Sequence, residues 1–385
     1  MISAKDDAHS SSPHRSRITR RRGMLIAAGS LAVLAGSAVL VPGCSAVYVA
    51  RQSLTHLRVL AARQPVDRAI ARGKIPDDWL PKIETIRKAR AFGSQRLGLP
   101  TDDLYTTISV VRPSPTWVVT ASPKDRLQPV TWWFPVVGRV AYRGYYDRQD
   151  ALRFAGRLRQ RDLDVLVQPA SAFSTLGWFS DPIRPSMLQE DEAGLADLVL
   201  HEAAHRVLYI KGQTNFNESF ASFIGEEGAL LFLRDRHGAG CVRCGAARTA
   251  TEDARIFSGL LASLVADLKR LYAEPLSRDQ KILRREAVFR QARARFRELA
   301  WRGDSFAWFP RLNLDNAVVL SLRRYQDRRP LFEDLRARCG GSLSRTLLAL
   351  EEMDRAEFSR ADWKRSDPFT LLEQFLQSAS PCPVP

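Results

Sequence analysis

Apolar and polar positions follow different patterns in successive parts of the chain. From residue 46 to residue 97 the apolar positions recur at helical spacing, and Pro100 ends this region. Residues 105–180 are instead rich in β-branched and aromatic residues with glycine and proline between them, which is typical of short strands. One helix is predicted inside this stretch, from about Asp150 to Arg161. The first half of the chain therefore predicts helices followed by a small sheet.

The second half of the chain returns to helical spacing. The first helix predicted there spans Glu190–Lys211 and ends at Gly212, a common helix-stopping residue. Breaks between the later helices are predicted at glycine and proline residues, namely near Gly238–Gly245, Pro275, Gly303, Pro310, Pro330 and Gly340–Gly341. The order of helices, sheet and helices predicts an α+β fold with the sheet packed against the Glu190–Lys211 helix.

The composition is that of a globular protein with an excess of positive charge. The 385 residues are 45% hydrophobic and 26% charged, which is enough for a sizeable core and one or two domains. The formal net charge is +16, of which the first 23 residues supply only +4. We interpret the rest as a solvated basic surface, with attraction to an anionic membrane as the alternative. No RNA-binding motif or zinc-finger spacing accompanies the charge, so a nucleic acid partner is not expected.

The N-terminal segment predicts export. A basic stretch ends at Arg22, residues 23–43 carry no charge, and Gly43 stands directly before Cys44. These are the parts of a secretory signal, and a cysteine at the cleavage point resembles a bacterial lipoprotein signal in which Cys44 is lipidated. The arginine run also resembles a twin-arginine signal, and an uncleaved membrane anchor is the alternative. Either reading places the protein in the bacterial cell envelope on the periplasmic side, with the outer membrane as a candidate destination.

Four cysteines remain once Cys44 is set aside. Export to an oxidising compartment makes structural disulfides the expected state, so we predict a local Cys241–Cys244 bridge and consider Cys339–Cys382 as a second. Half of a four-cysteine zinc site is an alternative for Cys241 and Cys244, but no second Cys-x-x-Cys completes it. A redox pair is another alternative, although no thioredoxin-like strand and helix surround it.

A His-Glu-x-x-His motif stands in the predicted Glu190–Lys211 helix. Its histidines, His201 and His205, are four residues apart and therefore lie on one helical face, where both can bind one zinc ion. Glu202 lies beside that face and can act as the general base on the attacking water. Glu218 follows a turn at Gly212 and suits the role of third ligand, which leaves an open fourth position for catalysis.

Two ordinary readings compete with this zinc site. The motif could be a charged helix without metal, and Glu218 could cap its own helix, since the residues from Asn215 to Glu218 fit a capping box. The sequence favours zinc because apolar residues surround the motif and the chain has only six histidines, of which two precede residue 23. Two of the remaining four stand at ligand spacing.

The chain resembles a family of exported, often lipid-anchored bacterial zinc aminopeptidases, from Cys44 to about residue 355. The matching stretches are RAFGSQRLGLP, TWVVTASPKDRLQP, WWFPVVGRVAYRGYY, AFSTLGWFSDP, LHEAAHRVLYIKGQTNFNESFA, WFPRLNLDNAVVL and YQDRRPLFEDL. The motif is also similar to that of gluzincin peptidases, which bind zinc with two histidines and one glutamate.

This resemblance has implications for the fold and for the roles of residues. It implies a zincin-like fold in which His201, His205 and Glu218 bind zinc and Glu202 is the base. Two positions depart from the family pattern. Phe173 stands where tyrosine is expected, and Asp315-Asn316 stands where an Asn-Asn pair is expected.

Further residues are candidates for contact with the substrate. Peptide hydrolysis needs a donor to the oxyanion, and Tyr142, Tyr145 and Tyr325 are candidates, with Arg143 beside the first two. The alternative for each tyrosine is a packed ring with its hydroxyl at the surface. Tyr209 is expected in the core or behind the ligands.

Three further groups of residues are candidates at the cleft. The loop at 174–181 is predicted to form a cleft wall, with a structural turn as the alternative. Asp197 is a candidate acceptor for a ligand imidazole. Asp181, Glu226 and Glu227 are candidate anchors for a substrate α-ammonium group, and solvated helix charges are the alternative for both glutamates.

Together these observations predict an envelope peptidase in three parts. Residues 1–44 form the export segment, residues 45–250 the zinc-binding core, and residues 251–385 a helical region that could close one end of the cleft. The predicted function is a membrane-anchored, monomeric zinc peptidase that hydrolyses peptides. The alternative is a non-catalytic envelope lipoprotein that keeps a structural zinc site.

Overall fold

Helices make up most of the described structure. The computed structural model describes residues 46–110, 116–134, 138–170, 182–358, 367–378 and residue 382. The helices are α1 (Ala46–Ala61), α2 (Val66–Ala71), α3 (Leu80–Leu97), α4 (Arg148–Gln160), α5 (Glu192–Val207), α6 (Thr214–His237), α7 (Val242–Ala273), α8 (Arg278–Glu298), α9 (Asn316–Gln326), α10 (Arg329–Arg338), α11 (Leu343–Met353) and α12 (Pro368–Gln377). The strands are β1 (Gln64–Pro65), β2 (Thr107–Ile108), β3 (Thr116–Pro123), β4 (Trp132–Phe134), β5 (Gly138–Val140), β6 (Arg143–Tyr145) and β7 (Leu163–Ala170).

The largest sheet has three antiparallel strands in the order β6-β3-β7. Strand β3 is central and pairs Val119 with Arg143 of β6 and with Val167 of β7. The other described strands form two-stranded ribbons, β1 with β2 and β4 with β5. Both faces of the three-stranded sheet are covered, since α4 packs on one and α9 on the other.

The position of the sheet differs from the prediction. The sequence predicts that the sheet lies directly against α5, the helix that carries the histidine motif. Helix α5 instead packs mainly on α6 and α3, while α9 lies between the sheet and α6. The sheet therefore contacts α9, and α9 in turn contacts α6, the helix that packs on the motif helix. The class of the fold as zincin-like stays a prediction.

Apolar residues form two cores. The larger surrounds α5 and α6 and includes Leu200 and Phe220, both fully buried. The smaller lies among α7, α8 and α9 around Phe257. Helix α7 crosses residue 250 without interruption, and the chain from Thr55 to Pro385 is one compact unit. The predicted division at residue 250 therefore falls within a helix, and the domain bounds stay a prediction.

Both predicted disulfides are present. Cys241 bonds to Cys244 at the start of α7, and Cys339 at the end of α10 bonds to Cys382. The second bridge attaches the far C-terminal region to the larger core, in which both of its cysteines are buried. Cys44 lies outside the described residues. Within the described part of the chain, no helix is long and apolar enough to cross a membrane.

Candidate metal centre

Helix α5 presents the histidine motif from a well-defined start. The carboxylate of Asp191 caps the helix by accepting a hydrogen bond of 2.8 Å from the backbone N–H of Gly194. Buried residues such as Leu195, Val199 and Ala203 then fix the helix against its neighbours. Because His201, Glu202 and His205 occupy the last two turns, they lie beside the junction with α6.

The junction between α5 and α6 sets the position of Glu218. Helix α5 ends at Val207, four residues earlier than predicted, because the following residues run extended. The buried side chain of Asn217 holds that extended segment, accepting from the N–H of Ile210 at 2.9 Å and donating to its carbonyl at 2.8 Å. Helix α6 begins at Thr214 without a side-chain cap, so Glu218 lies in its second turn and does not cap the helix.

Three candidate ligand atoms converge across this junction. Nε2 of His201 lies 3.5 Å from Oε2 of Glu218, and Nε2 of His205 lies 3.8 Å from the same oxygen. One atom from each of the three residues lies within 4.8 Å of the others. A tetrahedral zinc ion with bonds of about 2.0–2.1 Å separates its ligand atoms by roughly 3.4 Å. The spacing of these atoms, together with the two-nitrogen, one-oxygen donor set, therefore fits zinc.

The three groups share charge in a largely buried position. Burial opposes the protonated form of His201, but its ion pair with Glu218 outweighs this and raises the pKa of His201 to about 9. Burial lowers the pKa of His205 to about 4. Burial also opposes the ionised form of Glu218, yet the two histidines lower the pKa of Glu218 to about 2. Without metal, the group therefore holds one proton on His201 beside the Glu218 carboxylate, and a metal ion would have to displace that proton.

Glu202 lies next to this group and is nearly buried. Only 9% of its surface is exposed. Its negative charge raises the pKa of both His201 and Tyr325, so it lies within electrostatic range of both side chains. A buried carboxylate beside the candidate ligands is well placed to accept a proton.

Two of the three predicted tyrosines lie near the centre. Burial, and next the charge of Glu218, raises the pKa of Tyr142 well above its usual range. The same two causes, in the same order, raise the pKa of Tyr325 to about 12, although 38% of Tyr325 is exposed. Tyr209 also borders the centre, since its ring lies 6.5 Å from that of His205. Tyr209 lies in the extended segment that follows α5, where the sequence predicts one more helical turn.

Tyr145 lies on the opposite face of the sheet. Neighbouring residues of a strand point to opposite faces, so Arg143 and Tyr145 of β6 share one face. Tyr142 precedes β6 and contacts Arg324 of α9, which covers the other face. Arg143 and Tyr145 both pack on Phe154 of α4. The guanidinium carbon of Arg143 lies 4.6 Å from the centre of the Phe154 ring, and the centre of the Tyr145 ring lies 5.7 Å from it. The structure therefore does not bring Tyr145 or Arg143 to the metal centre, and the prediction for Tyr145 is not supported.

The two candidate anchor glutamates are already paired with arginines. Arg329 of α10 forms ion pairs with both Glu226 and Glu227, and Arg336 forms a second pair with Glu227. Their charge is therefore compensated within the fold, which does not support a role in binding a substrate ammonium group. Phe173 and the whole predicted cleft loop at 174–181, which includes Asp181, lie outside the described residues.

Asp197 lies behind His201, one turn earlier on α5. Its Oδ1 is buried and has no hydrogen-bond partner within the described part of the chain. Burial, and then the charge of Glu226, raises the pKa of Asp197 to about 7. The charge of Asp197 in turn raises the pKa of His201.

Sequence reasoning missed one charged residue near the centre, Arg324. It stands in an Arg-Arg pair near the end of α9, as on an ordinary surface helix, yet only 1% of its surface is exposed. Its guanidinium carbon lies 4.7 Å from the centre of the Tyr142 ring, and its charge acts on Glu218. No local signal distinguishes this arginine from its neighbour Arg323, because its burial depends on α9 packing between the sheet and α6.

Comparison with known proteins identifies one family. The model of the family described as "Putative aminopeptidase" matches residues 47–363, which include all three candidate metal ligands. No curated protein and no solved structure matches the chain.

Proposed function

The chain belongs to the family described as "Putative aminopeptidase", and on that premise we propose that it is a zinc-dependent peptidase with Glu202 as general base. The observation that carries the proposal is the convergence of His201, His205 and Glu218 from two helices, with one ligand atom of each within 4.8 Å of the others. Family membership already indicates a peptidase that acts on peptides. The zinc and the roles of individual residues are the proposed part.

The residues of the centre divide the chemistry among them. His201, His205 and Glu218 would hold the ion, which supplies Lewis acidity and makes water a better nucleophile when it is bound. The carboxylate of Glu202 accepts the proton of the attacking water and passes it to the nitrogen of the leaving amine. The hydroxyls of Tyr142 and Tyr325 are the proposed donors to the oxygen that becomes negative as the peptide carbonyl is attacked.

Metal removal and restoration test this proposal. The purified protein should contain one zinc ion per chain and hydrolyse members of a short-peptide panel. Dialysis against a chelator should remove the zinc and abolish hydrolysis. Added zinc should restore hydrolysis, whereas added magnesium, which prefers octahedral oxygen ligands, should not. Full zinc occupancy without hydrolysis of any peptide would instead favour a non-catalytic envelope protein with a structural zinc site.

The position of the cleaved bond is a separate part of the proposal. An aminopeptidase must bind the free α-ammonium group of its substrate, whereas an endopeptidase need not. We propose the first, following the family, and expect a short peptide with a free N-terminus to lose its first residue. The N-acetylated form of the same peptide should resist cleavage. Equal cleavage of both forms at an internal bond would overturn this assignment and leave the zinc chemistry intact.

We also propose that the protein is exported and anchored by a lipid on Cys44. The support is the sequence alone, namely the basic stretch, the uncharged residues 23–43 and the position of Gly43 before Cys44. Labelling with a radioactive fatty acid should mark the wild-type protein, and Cys44→Ala should remove the label. A mature membrane-bound protein whose N-terminus lies well upstream of Cys44 would indicate an uncleaved anchor.

A further inference from the structure

Helix α9 is attached to the metal centre by hydrogen bonds at the residue next to Glu218. The hydroxyl of Ser219 donates to the backbone carbonyl of Arg324 at 3.1 Å and accepts from the N–H of Asp327 at 2.9 Å. All three groups are buried. Because Ser219 directly follows Glu218 on α6, the end of α9 that carries Arg324 and Tyr325 is held at a fixed position beside this ligand.

The side chain of Arg324 connects α9 to the sheet and to both tyrosines. One guanidinium nitrogen, Nη2, donates to Oγ1 of Thr120 on β3 at 3.0 Å. The guanidinium carbon lies 4.7 Å from the centre of the Tyr142 ring and 6.0 Å from that of Tyr325, within the range of cation–π attraction. A single cation thus contacts the sheet and the two rings proposed to face the substrate.

Arg324 differs from two other buried arginines in its partners. Arg285 pairs with Asp164, and Arg329 pairs with Glu226 and Glu227. Arg324 forms no ion pair with any carboxylate in the described residues, and its Nε has no hydrogen-bond partner there. Burying a charged group without a hydrogen-bonded counterion is costly, and the charge of Arg324 acts on the carboxylate of the candidate ligand Glu218. A cation buried in this way can stabilise negative charge at the neighbouring centre.

We propose that Arg324 is a positioning residue, a buried cation that holds Tyr142 and Tyr325 beside the metal centre and directs positive charge toward the oxygen that becomes negative during hydrolysis. This inference rests on the proposed function but concerns a residue outside the ligand set. Arg324 is too deeply buried to contact a peptide, so it acts through the two rings and through its field. The same positive charge must oppose the binding of a cation at the neighbouring Glu218.

This opposition gives a test that does not depend on catalysis. Zinc affinity would be measured by competition with a chromophoric chelator for wild type, Arg324→Met, Arg324→Gln and Arg324→Lys, with Arg285→Met as a control for loss of a buried arginine. We expect Arg324→Met and Arg324→Gln to bind zinc about threefold or more tightly than wild type. Arg324→Lys and Arg285→Met should bind as wild type does. Circular dichroism checks that each variant folds. If Arg324→Met does not fold, the zinc affinity of Arg324→Gln decides the test.

Peptide hydrolysis supplies the second measurement. Loss of the cation should lower kcat by about tenfold to a hundredfold with little change in KM, because the charge acts on the transition state more than on the bound peptide. Arg324→Lys should recover most of the loss. Zinc affinity unchanged in both neutral variants, or altered equally in Arg285→Met, would overturn the inference. A wild-type protein that hydrolyses no peptide would overturn the proposed function, while the zinc measurement would still decide the role of Arg324.

Discussion

Gly225 of α6 faces His201 of α5 so closely that a Cβ atom added at Gly225 would lie 3.1 Å from the Cβ of His201. The same added atom would lie 2.9 Å from the backbone carbonyl oxygen of Asp197 and 2.1 Å from its Oδ1. The two helices therefore meet almost backbone to backbone at the turn that carries the first histidine. This approach sets the separation between His201 and Glu218, one on each helix.

Replacement of Gly225 by alanine should move the helices apart. We expect Gly225→Ala to lower the free energy of unfolding by about 1–3 kcal/mol, as overpacking does in other cores, and to weaken zinc binding. Gly259→Ala is the matched control, because Gly259 lies within α7 and an added Cβ would meet nothing within 4 Å. That change should stabilise the protein by about 0.5–1 kcal/mol and leave zinc binding unchanged. Urea unfolding and zinc titration measure both effects, and equal stabilisation by the two alanines would contradict the close approach.

The sequence predicts the convergence of the candidate ligands where the geometry is local. His201, Glu202 and His205 are related by helical spacing alone, which needs no knowledge of the tertiary structure. Glu218 lies on the next helix, after the chain reversal at Gly212. One assumption about that reversal is therefore enough to place Glu218 beside the histidines. The assumption is inexact, because the hydrogen bonds of Asn217 end α5 at Val207 and extend the next residues, which brings Tyr209 to the centre.

Predictions that depend on contacts distant in sequence are less successful. Tyr142 and Tyr145 are close in the chain, but Tyr142 contacts Arg324 of α9 and Tyr145 contacts Phe154 of α4, on opposite faces of the sheet. The sequence does not show which tyrosine belongs to which face. Arg324 is similar in composition and spacing to arginines on exposed helices. Its burial depends on the packing of α9 between the sheet and α6, and the pattern of apolar residues predicted instead that the sheet meets α5 directly.

Asp315 should make stability depend on pH. It caps α9 by accepting a 2.8 Å hydrogen bond from the N–H of Val318, and burial raises the pKa of its carboxyl from 3.8 to about 6. A raised pKa means that folding favours the protonated form. This contribution is therefore greatest below pH 3.8 and is lost as the pH rises to about 6.

The variant Asp315→Asn isolates this contribution because asparagine also caps helices well and does not titrate. At pH 7 it should be more stable than wild type by up to about 3 kcal/mol, and the difference should shrink toward pH 4. Urea unfolding at several pH values measures it. A difference that stays constant between pH 4 and pH 7 would show that Asp315 titrates normally in the folded protein.

The two disulfides should differ in their effect on stability. Cys339 and Cys382 are 43 residues apart in sequence, whereas Cys241 and Cys244 are three apart. A longer closed loop restricts the unfolded chain more, so loss of the Cys339–Cys382 bridge should cost about 4 kcal/mol and loss of the other about 2 kcal/mol. Unfolding of the two double alanine variants without reductant measures this. Equal losses would indicate that loop length does not control the stabilisation.

The substitution Glu202→Gln, with zinc content and peptide hydrolysis measured on the same sample, tests the central claim most directly. Glutamine keeps the shape of Glu202 but cannot accept the proton of the attacking water. If His201, His205 and Glu218 are the ligands and Glu202 is the base, the variant should retain one zinc ion per chain and lose hydrolysis by about a hundredfold or more. Glu218→Ala, the matched control, should lose the zinc. Loss of zinc from Glu202→Gln, with full zinc occupancy in Glu218→Ala, would contradict the assignment of ligand and base.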